Sequence, residues 1–271
     1  MIIELYKYVT NPASQSAKKL GQLREIIGME ARYKRSRKQW DSHLQNTKSL
    51  IEEASLKILN PDEVIILGSG LLLDIPIDFL SRHFNRVILV DVVHLKQVKK
   101  HTKKYDNIEF VEHDVTGLSS QLVGPYQKQL KLQARASIPN INDKTSLVVS
   151  ANLLSQLHLI PVEYAKKELG LNSTEQELLA TEITSCHIKL LENLSSQVCL
   201  ISDYQRFYKD KNNNILDIEN VLFDSELPKP YKTWRWEIAP IGEISNQYSM
   251  SSKVYAYPDF NNKVLYRPLI I

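Results

Sequence analysis

The chain has 271 residues, of which 43% are hydrophobic and 24% are charged, and its formal net charge is +3. This composition is typical of a globular protein, and the charge is too small to require a nucleic-acid partner. No stretch approaches the ~18 uninterrupted apolar residues of a membrane helix, and the first residues lack a signal-peptide pattern. Cys186 and Cys199 are isolated, which excludes a disulfide framework or a zinc motif. We therefore expect a cytoplasmic protein with no membrane partner.

The N-terminal segment has the pattern of amphipathic helices. Over residues 14–58 the apolar side chains recur three, four or seven positions apart, which predicts one apolar stripe. The clearest part of that stripe consists of Trp40, Leu44, Ile51, Ala54 and Ile58. We predict a helical cap over residues 1–60, followed by one domain over residues 61–271.

From Val64 the pattern changes to short apolar runs separated by helical segments. Runs rich in β-branched residues predict strands that are buried on both faces. Five such strands are predicted, at residues 64–67, 86–90, 108–111, 147–149 and 198–201. After the first strand, Asp74 and Pro76 suit the start of a helix. Before the fifth, residues 174–177 match a capping box.

The last part of the chain has a different pattern. Residues 233–238 alternate between apolar and polar side chains, and residues 253–257 form another strand-like run, so the two predict an antiparallel pair. We expect residues 204–232 to be mostly loop, with an exposed turn at 209–214. The predicted fold class is therefore α/β: a three-layer Rossmann-like sheet, mostly parallel with an antiparallel C-terminal strand, with helices on both faces and the N-terminal cap.

Glycines and carboxylates follow three of the predicted strands at their ends. Gly68, Ser69 and Gly70 follow the first strand, Asp91 ends the second, and Asp114 follows the third. Glycine permits a tight turn and a close approach of the backbone to a ligand. A carboxylate after the second strand suits the hydroxyl groups of a ribose. The order and spacing predict a nucleotide-type site.

This arrangement resembles the class I S-adenosylmethionine-dependent methyltransferases, over roughly residues 62–203. The resemblance implies that the glycine loop surrounds the methionine part of the cofactor, that Asp91 binds its ribose, and that Asp114 binds the adenine amino group. The end of the fourth strand, with Asn152, would lie near the reactive methyl group. The implied S-adenosylmethionine-binding residues are Gly68, Ser69, Gly70, Asp91, Val92, Asp114, Val115 and Asn152.

Two positions depart from the pattern of that family. Ile66 stands where an acidic residue is usual, and Leu72 where a third glycine is common. These departures leave open a binding or scaffold protein that kept the fold and lost catalysis. A nicotinamide-dependent oxidoreductase is a further alternative, although the third glycine of its motif would fall on Leu73.

The acceptor of the methyl group is not identified by any motif. We predict His158 and Tyr164 as candidate bases, and Ser155, Gln156 and Asp203 as candidate substrate-binding residues, since all follow the fourth or fifth strand. A small-molecule acceptor is slightly favoured, protein and RNA acceptors stay open, and we expect a monomer or a homodimer.

A long connection and two basic runs complete the sequence pattern. The connection at residues 124–143 is long enough for a lid, and its candidate contact residues are Tyr126, Lys128, Lys131 and Arg135. The basic runs at 34–38 and 96–104 are typical of solvated helix faces.

Overall fold

The computed structural model describes residues 2–124 and 131–262. These residues form eight α-helices: α1 (Ile2–Thr10), α2 (Gln15–Leu20), α3 (Gln22–Leu56), α4 (Ile77–His83), α5 (Lys96–Thr102), α6 (Ser119–Val123), α7 (Leu159–Leu169) and α8 (Ser173–Glu192). They also form eight strands: β1 (Glu63–Leu67), β2 (Arg86–Asp91), β3 (Ile108–Glu112), β4 (Thr145–Ala151), β5 (Gln197–Lys209), β6 (Ile215–Asn220), β7 (Lys232–Ala239) and β8 (Ser249–Tyr257).

All eight strands belong to a single sheet with the order β3-β2-β1-β4-β5-β8-β7. Strands β1 to β5 are mutually parallel, whereas β8 is antiparallel to both β5 and β7. Strand β6 pairs with the outer half of β5. The strand order reverses direction at β1 and β4, and such a switch point is where open α/β sheets bind ligands.

Both faces of the sheet are covered, which confirms the three-layer prediction. In β1, Val64 and Ile66 face one apolar cluster, and Ile65 and Leu67 face the other. The first cluster includes α3, α4 and α5, and the second includes α6, α7 and α8. Each β1 residue is buried because successive strand side chains point to opposite faces and helices cover both.

The long helix α3 lies directly against the sheet. The indole N–H of Trp40 donates a hydrogen bond to the carbonyl oxygen of Ile238 in β7, at 2.8 Å. Ser36 is buried and has non-helical backbone angles, so α3 bends there. The bend divides the helix into a part that adjoins α1 and α2 and a part that packs on the sheet. The boundary proposed at residue 60 falls between α3 and β1.

The segment predicted as mostly loop, residues 204–232, is the main correction to the fold. Strand β5 continues to Lys209, and Ile215–Asn220 forms β6 beside it. The exposed turn between them is present, since Asp210 accepts hydrogen bonds from the backbone N–H groups of Asn212 and Asn214. The hairpin escaped prediction because β6 is short and almost entirely exposed, including its apolar residues Ile215, Leu216 and Ile218, and it directly follows a run of turn residues.

Two helix starts also differ from the prediction. The capping box of α8 uses Asn172 and Glu175, two residues earlier than expected. Helix α4 begins at Ile77 with Pro76 as its N-cap, so Asp74 is not a capping residue. Its carboxylate belongs to a different environment, described below. Within the described residues, no helix is long and apolar enough to cross a membrane.

Candidate functional site

A cavity of about 980 Å³ lies at the carboxyl ends of the parallel strands. One wall is formed by the residues that follow β1, β2, β3 and β4, and the opposite wall by α2 and the first half of α3. The cavity extends over the outer parts of β5, β7 and β8. Asp203, Trp236 and Met250 are the lining residues from these strands that matter below. A volume of this size is at the upper end of the range for small-molecule and cofactor sites.

The glycine loop forms the floor of the cavity next to β1 and β2. The N–H groups of Gly68 and Ser69 both donate to the carbonyl oxygen of Val90, at 2.9 and 3.1 Å. Gly68 and Gly70 have positive φ angles of 70° and 48°. A β-carbon on Gly70 would meet nothing closer than the Gly68 carbonyl oxygen at 3.7 Å. The loop therefore leaves room for a ligand against the backbone at Gly70.

Leu72 has a backbone conformation that is more typical of glycine. Its φ angle is 58°, in the left-handed region that favours glycine. A residue with a β-carbon pays about 1–2 kcal/mol for this conformation, but the Leu72 side chain is buried in the core beside α3. Ile66 is likewise buried in that core. The two departures in sequence are thus residues that pack into the protein interior.

Asp91 ends β2 and is connected to the glycine loop. Its Oδ2 accepts a hydrogen bond from the Gly70 N–H at 2.8 Å, and its Oδ1 accepts a longer one from the Val93 N–H. Burial raises the pKa of Asp91, although these hydrogen bonds and the nearby His94 oppose the shift. A carboxylate has about four lone-pair positions, so two bonds leave capacity for a hydroxyl donor. Asp91 and Val92 both line the cavity.

Asp114 follows β3 and is held more tightly. Its Oδ1 accepts from the backbone N–H and the hydroxyl of Thr116, and its Oδ2 accepts from the Ser119 N–H at 2.7 Å. Burial by itself would raise the pKa of Asp114, but these hydrogen bonds outweigh it and the pKa is lowered. The carboxylate is therefore ionised and organises the turn before α6. It and Val115 also line the cavity.

Asn152, at the end of β4, forms a pair with Asp74 across the cavity wall. The Asn152 side-chain amide donates to Asp74 Oδ2 at 2.7 Å, and its backbone N–H donates to the carbonyl oxygen of Ile201. Burial raises the pKa of Asp74. The side-chain oxygen of Asn152 is buried and has no partner within the described residues. Asp74 is a cavity residue that the sequence pattern presented only as a helix cap.

The predicted bases are separated by the fold. Tyr164, on α7, lines the cavity together with Gln156, whose amide donates to the Asn152 carbonyl oxygen. His158 is not among the lining residues: it is buried and its ring packs edge-on against Phe223. Burial, reinforced by Arg206, lowers the pKa of His158 to about 4. The structure thus gives His158 no contact with a ligand in the cavity.

Ser155, predicted to bind substrate, also lies away from the cavity. It is fully buried in the 3₁₀ turn at Leu154–Gln156, and it is absent from the lining. Of the predicted connection at residues 124–143, Tyr126 and Lys128 lie outside the described residues. Arg135 continues the segment with its backbone N–H bonded to the Thr116 carbonyl oxygen. Lys131 and Arg135 do not contribute to the cavity lining.

Asp203, on β5, occupies the far end of the cavity. The residue is 2% exposed, and Oδ2 accepts from the hydroxyl of Ser252 in β8 at 3.1 Å. Burial raises the pKa of Asp203 to about 6, against the influence of Arg206, whose guanidinium lies 3.9 Å away. Arg206 also donates to Glu219 in β6. Arg206 and Trp236 are site residues that the sequence did not indicate, because their positions depend on the pairing of β5, β8 and β7.

Comparisons with known proteins give similarities at the level of structure. No family model and no curated protein sequence matches the chain. One similar structure is the protein DhpI in complex with SAM and HEP, at 11% identity and a TM-score of 0.35, covering 89% of this chain and 99% of that one. A second is a Leishmania major SAM-dependent methyltransferase, at 13% identity and a TM-score of 0.34, covering 93% and 81%.

A third similar structure is a protein described as a methyltransferase in complex with a methyltransferase activator, from Haloferax volcanii. The identity is 12% and the TM-score is 0.33, and 63% of this chain matches 57% of that one. The chain thus spans little more than half of that Haloferax volcanii protein. At these TM-scores the similarities carry no argument about activity.

The strand order of this chain defines its architecture independently of those matches. Five parallel strands, the antiparallel β8 between β5 and β7, and helices on both faces place the glycine loop and two carboxylates at one edge. The chain therefore has a Rossmann-like α/β fold, mostly parallel with an antiparallel C-terminal pair, as the sequence predicted.

Proposed function

We propose that this protein transfers a methyl group from S-adenosylmethionine to a small-molecule acceptor. The observation that supports this most is that Gly70, Asp91 and Asp114, from the ends of three neighbouring strands, line one cavity. Open space at Gly70, spare hydrogen-bonding capacity on Asp91 and the unpartnered oxygen of Asn152 fit the polar groups of this cofactor. The bound cofactor would supply an electrophilic methyl group on a sulfonium.

In this proposal each side of the cavity binds one part of the cofactor. Asp91 accepts hydrogen bonds from the ribose hydroxyls, and the backbone beside Asp114 and Val115 contacts the adenine. The methionine part lies against Gly68 and Gly70. Asp74 supplies the carboxylate that Ile66 does not, because the Asp74–Asn152 pair lies in the same wall as the glycine loop.

A small acceptor is favoured over a macromolecule by the burial of Asp203 at the far end of the cavity and by the pairing of the surface charges. Asp203 is almost fully buried at the far end, beyond reach of a bulky substrate. The basic run on α3 is partly neutralised, since Lys34 pairs with Glu30 and Arg35 with Glu243. A strongly basic surface, by contrast, is typical of proteins that bind nucleic acid.

Calorimetry with S-adenosylmethionine and S-adenosylhomocysteine tests the proposal. We expect micromolar binding of both, and a loss of at least tenfold in Asp91→Ala, because the ribose hydroxyls lose their acceptor. The matched control is Asp143→Ala, which removes an exposed carboxylate outside the cavity and should leave binding unchanged. Folded protein that binds neither compound would refute the proposal, and preferential binding of NADH would favour an oxidoreductase. Binding without methyl transfer to any acceptor in a cell extract would favour the scaffold alternative.

A further inference from the structure

The far end of the cavity contains a row of side chains on three paired strands. Arg206 of β5 lies opposite Ser252 of β8, and Ser252 lies opposite Trp236 of β7. Directly opposed residues of a sheet project from the same face, so this row lies on the face covered by α3. Glu219 of β6 continues the row on the other side of Arg206. Asp203 joins it through its hydrogen bond with the Ser252 hydroxyl.

Three polar atoms in this region are buried and have no hydrogen-bond partner among residues 2–124 and 131–262. They are Asp203 Oδ1, Arg206 Nε and Trp236 Nε1, and all three residues line the cavity. Buried polar atoms are paired in most protein structures, and a set of exceptions in one cavity requires an explanation. Asp203 Oδ1 is an acceptor on β5, whereas Arg206 Nε and Trp236 Nε1 are donors on β5 and β7, so this end of the cavity offers both hydrogen-bonding roles to a group that donates and accepts. A hydroxyl is the simplest such group.

The charges of the row disfavour an anionic ligand. Arg206 supplies the guanidinium group of the row. Its nitrogens lie 3.1 Å from a carboxylate oxygen of Glu219 and 3.9 Å from one of Asp203. Its positive charge is therefore already compensated. The lining also contains cations outside the row, on helices α2, α3 and α7: Lys18, Lys19, Arg24, Arg32 and Lys167.

The remaining wall of this end is apolar and aromatic. Trp40 packs edge-on against Trp236 with ring centroids 5.3 Å apart, and His43 stacks on Trp236 at 4.1 Å. Ile238 and Met250 complete the lining. Burial lowers the pKa of His43 to about 3, so its ring is neutral at physiological pH. Such a wall fits a flat apolar body attached to the hydroxyl.

We propose that this end of the cavity is the acceptor site, that it binds a small molecule carrying a hydroxyl on a flat apolar body, and that Asp203 accepts the proton of that hydroxyl. This inference rests on the proposed methyl transfer. In the reaction the acceptor oxygen bonds the methyl carbon, sulfur keeps the electron pair of the broken carbon–sulfur bond, and the hydroxyl proton passes to Asp203 Oδ1. A pKa of about 6 makes Asp203 an ionised acceptor near neutral pH.

The indole N–H signals of the protein provide a direct test. The chain has three tryptophans, Trp40, Trp234 and Trp236, and all lie at this end. The N–H of Trp40 is bonded to the Ile238 carbonyl oxygen and that of Trp234 to His43, whereas that of Trp236 has no partner among the described residues. In ¹H–¹⁵N spectra we therefore expect a ligand hydroxyl to shift the Trp236 signal most, with Trp236→Phe giving the assignment.

The probe is 2-naphthol, compared with 2-methylnaphthalene, which lacks the hydroxyl, and 2-naphthoate, which is an anion of similar shape. We expect saturable binding of 2-naphthol and binding at least tenfold weaker for the other two. Asp203→Ala should weaken 2-naphthol at least fivefold, whereas Asp143→Ala should not. The three probes are compared on the wild-type protein, so that comparison remains valid even if Asp203→Ala does not fold.

Equal binding of 2-naphthoate, an unmoved Trp236 signal, or unchanged affinity in a folded Asp203→Ala protein would overturn the acceptor site. Calorimetry with S-adenosylhomocysteine on the same sample separates the two proposals. Cofactor binding without 2-naphthol binding refutes this inference alone. If the protein binds 2-naphthol but not S-adenosylhomocysteine, the hydroxyl site is supported and the proposed methyl transfer is refuted.

Discussion

Replacing Asp203 with asparagine should stabilise the protein while impairing its proposed activity. Asp203 is 2% exposed, and burial raises the pKa of its carboxyl group from an ordinary 3.8 to about 6. A carboxyl whose pKa is raised by folding stabilises the fold only while it is protonated. Its contribution is present below pH 3.8 and is lost as the pH rises through 6. Asparagine has a similar shape and does not ionise, so the variant does not suffer this loss.

The size of the effect follows from the two pKa values. Each pH unit between them corresponds to about 1.4 kcal/mol. The ionised carboxylate therefore costs at most about 3 kcal/mol of unfolding free energy at pH 8, and about 1.6 kcal/mol at pH 5. For a protein of this size 1 kcal/mol shifts Tm by roughly 2–4 °C. Asp203→Asn should raise Tm by roughly 6–12 °C at most at pH 8, and by about half as much at pH 5.

Thermal unfolding followed by circular dichroism at several pH values between 5 and 8 measures this difference. Asp143→Asn, at an exposed carboxylate outside the cavity, is the matched control and should show no pH-dependent gain. Both variants remove one carboxylate and leave Arg206, Glu219 and His158 in place, so the comparison isolates the burial of Asp203. A Tm of Asp203→Asn that is lower than wild type at pH 8, or a gain independent of pH, would refute the reasoning.

Three further substitutions test other parts of the structure. Gly70→Val should reduce S-adenosylmethionine affinity at least tenfold in calorimetry, because its side chain enters the open space at the glycine loop, and unchanged affinity would contradict the position of the cofactor. Leu72→Gly should lower the unfolding free energy, measured in urea, by about 1–3 kcal/mol. The ~2–5 kcal/mol lost with a buried leucine exceeds the ~1–2 kcal/mol gained by relieving backbone strain. A variant more stable than wild type would show that the strain dominates. His158→Ala should lower Tm, because the contact with Phe223 is lost, and should leave cofactor affinity within threefold of wild type. A tenfold loss of affinity would show that His158 takes part in cofactor binding.

Much of the sheet could be predicted because its signals are local. Buried parallel strands such as Glu63–Leu67 and Arg86–Asp91 are continuous apolar runs, and turn residues follow them directly. Because the strands are parallel, residues at their carboxyl ends meet at one edge of the sheet. Gly70, Asp91 and Asp114 could therefore be assigned to a common cavity before any contact was known.

The acceptor end depended on the tertiary structure. Asp203 and Arg206 on β5 are joined to Trp236, thirty or more positions later, through the pairing of β5, β8 and β7. His158 follows β4 in sequence as Gln156 does, yet the turn after Asn152 directs it to Phe223 and away from the cavity. The sequence by itself determined the five parallel strands at the centre of the sheet and the residues at their carboxyl ends. The long-range pairing of strands and the direction of each side chain were decided only by folding, because both depend on contacts that no local pattern encodes.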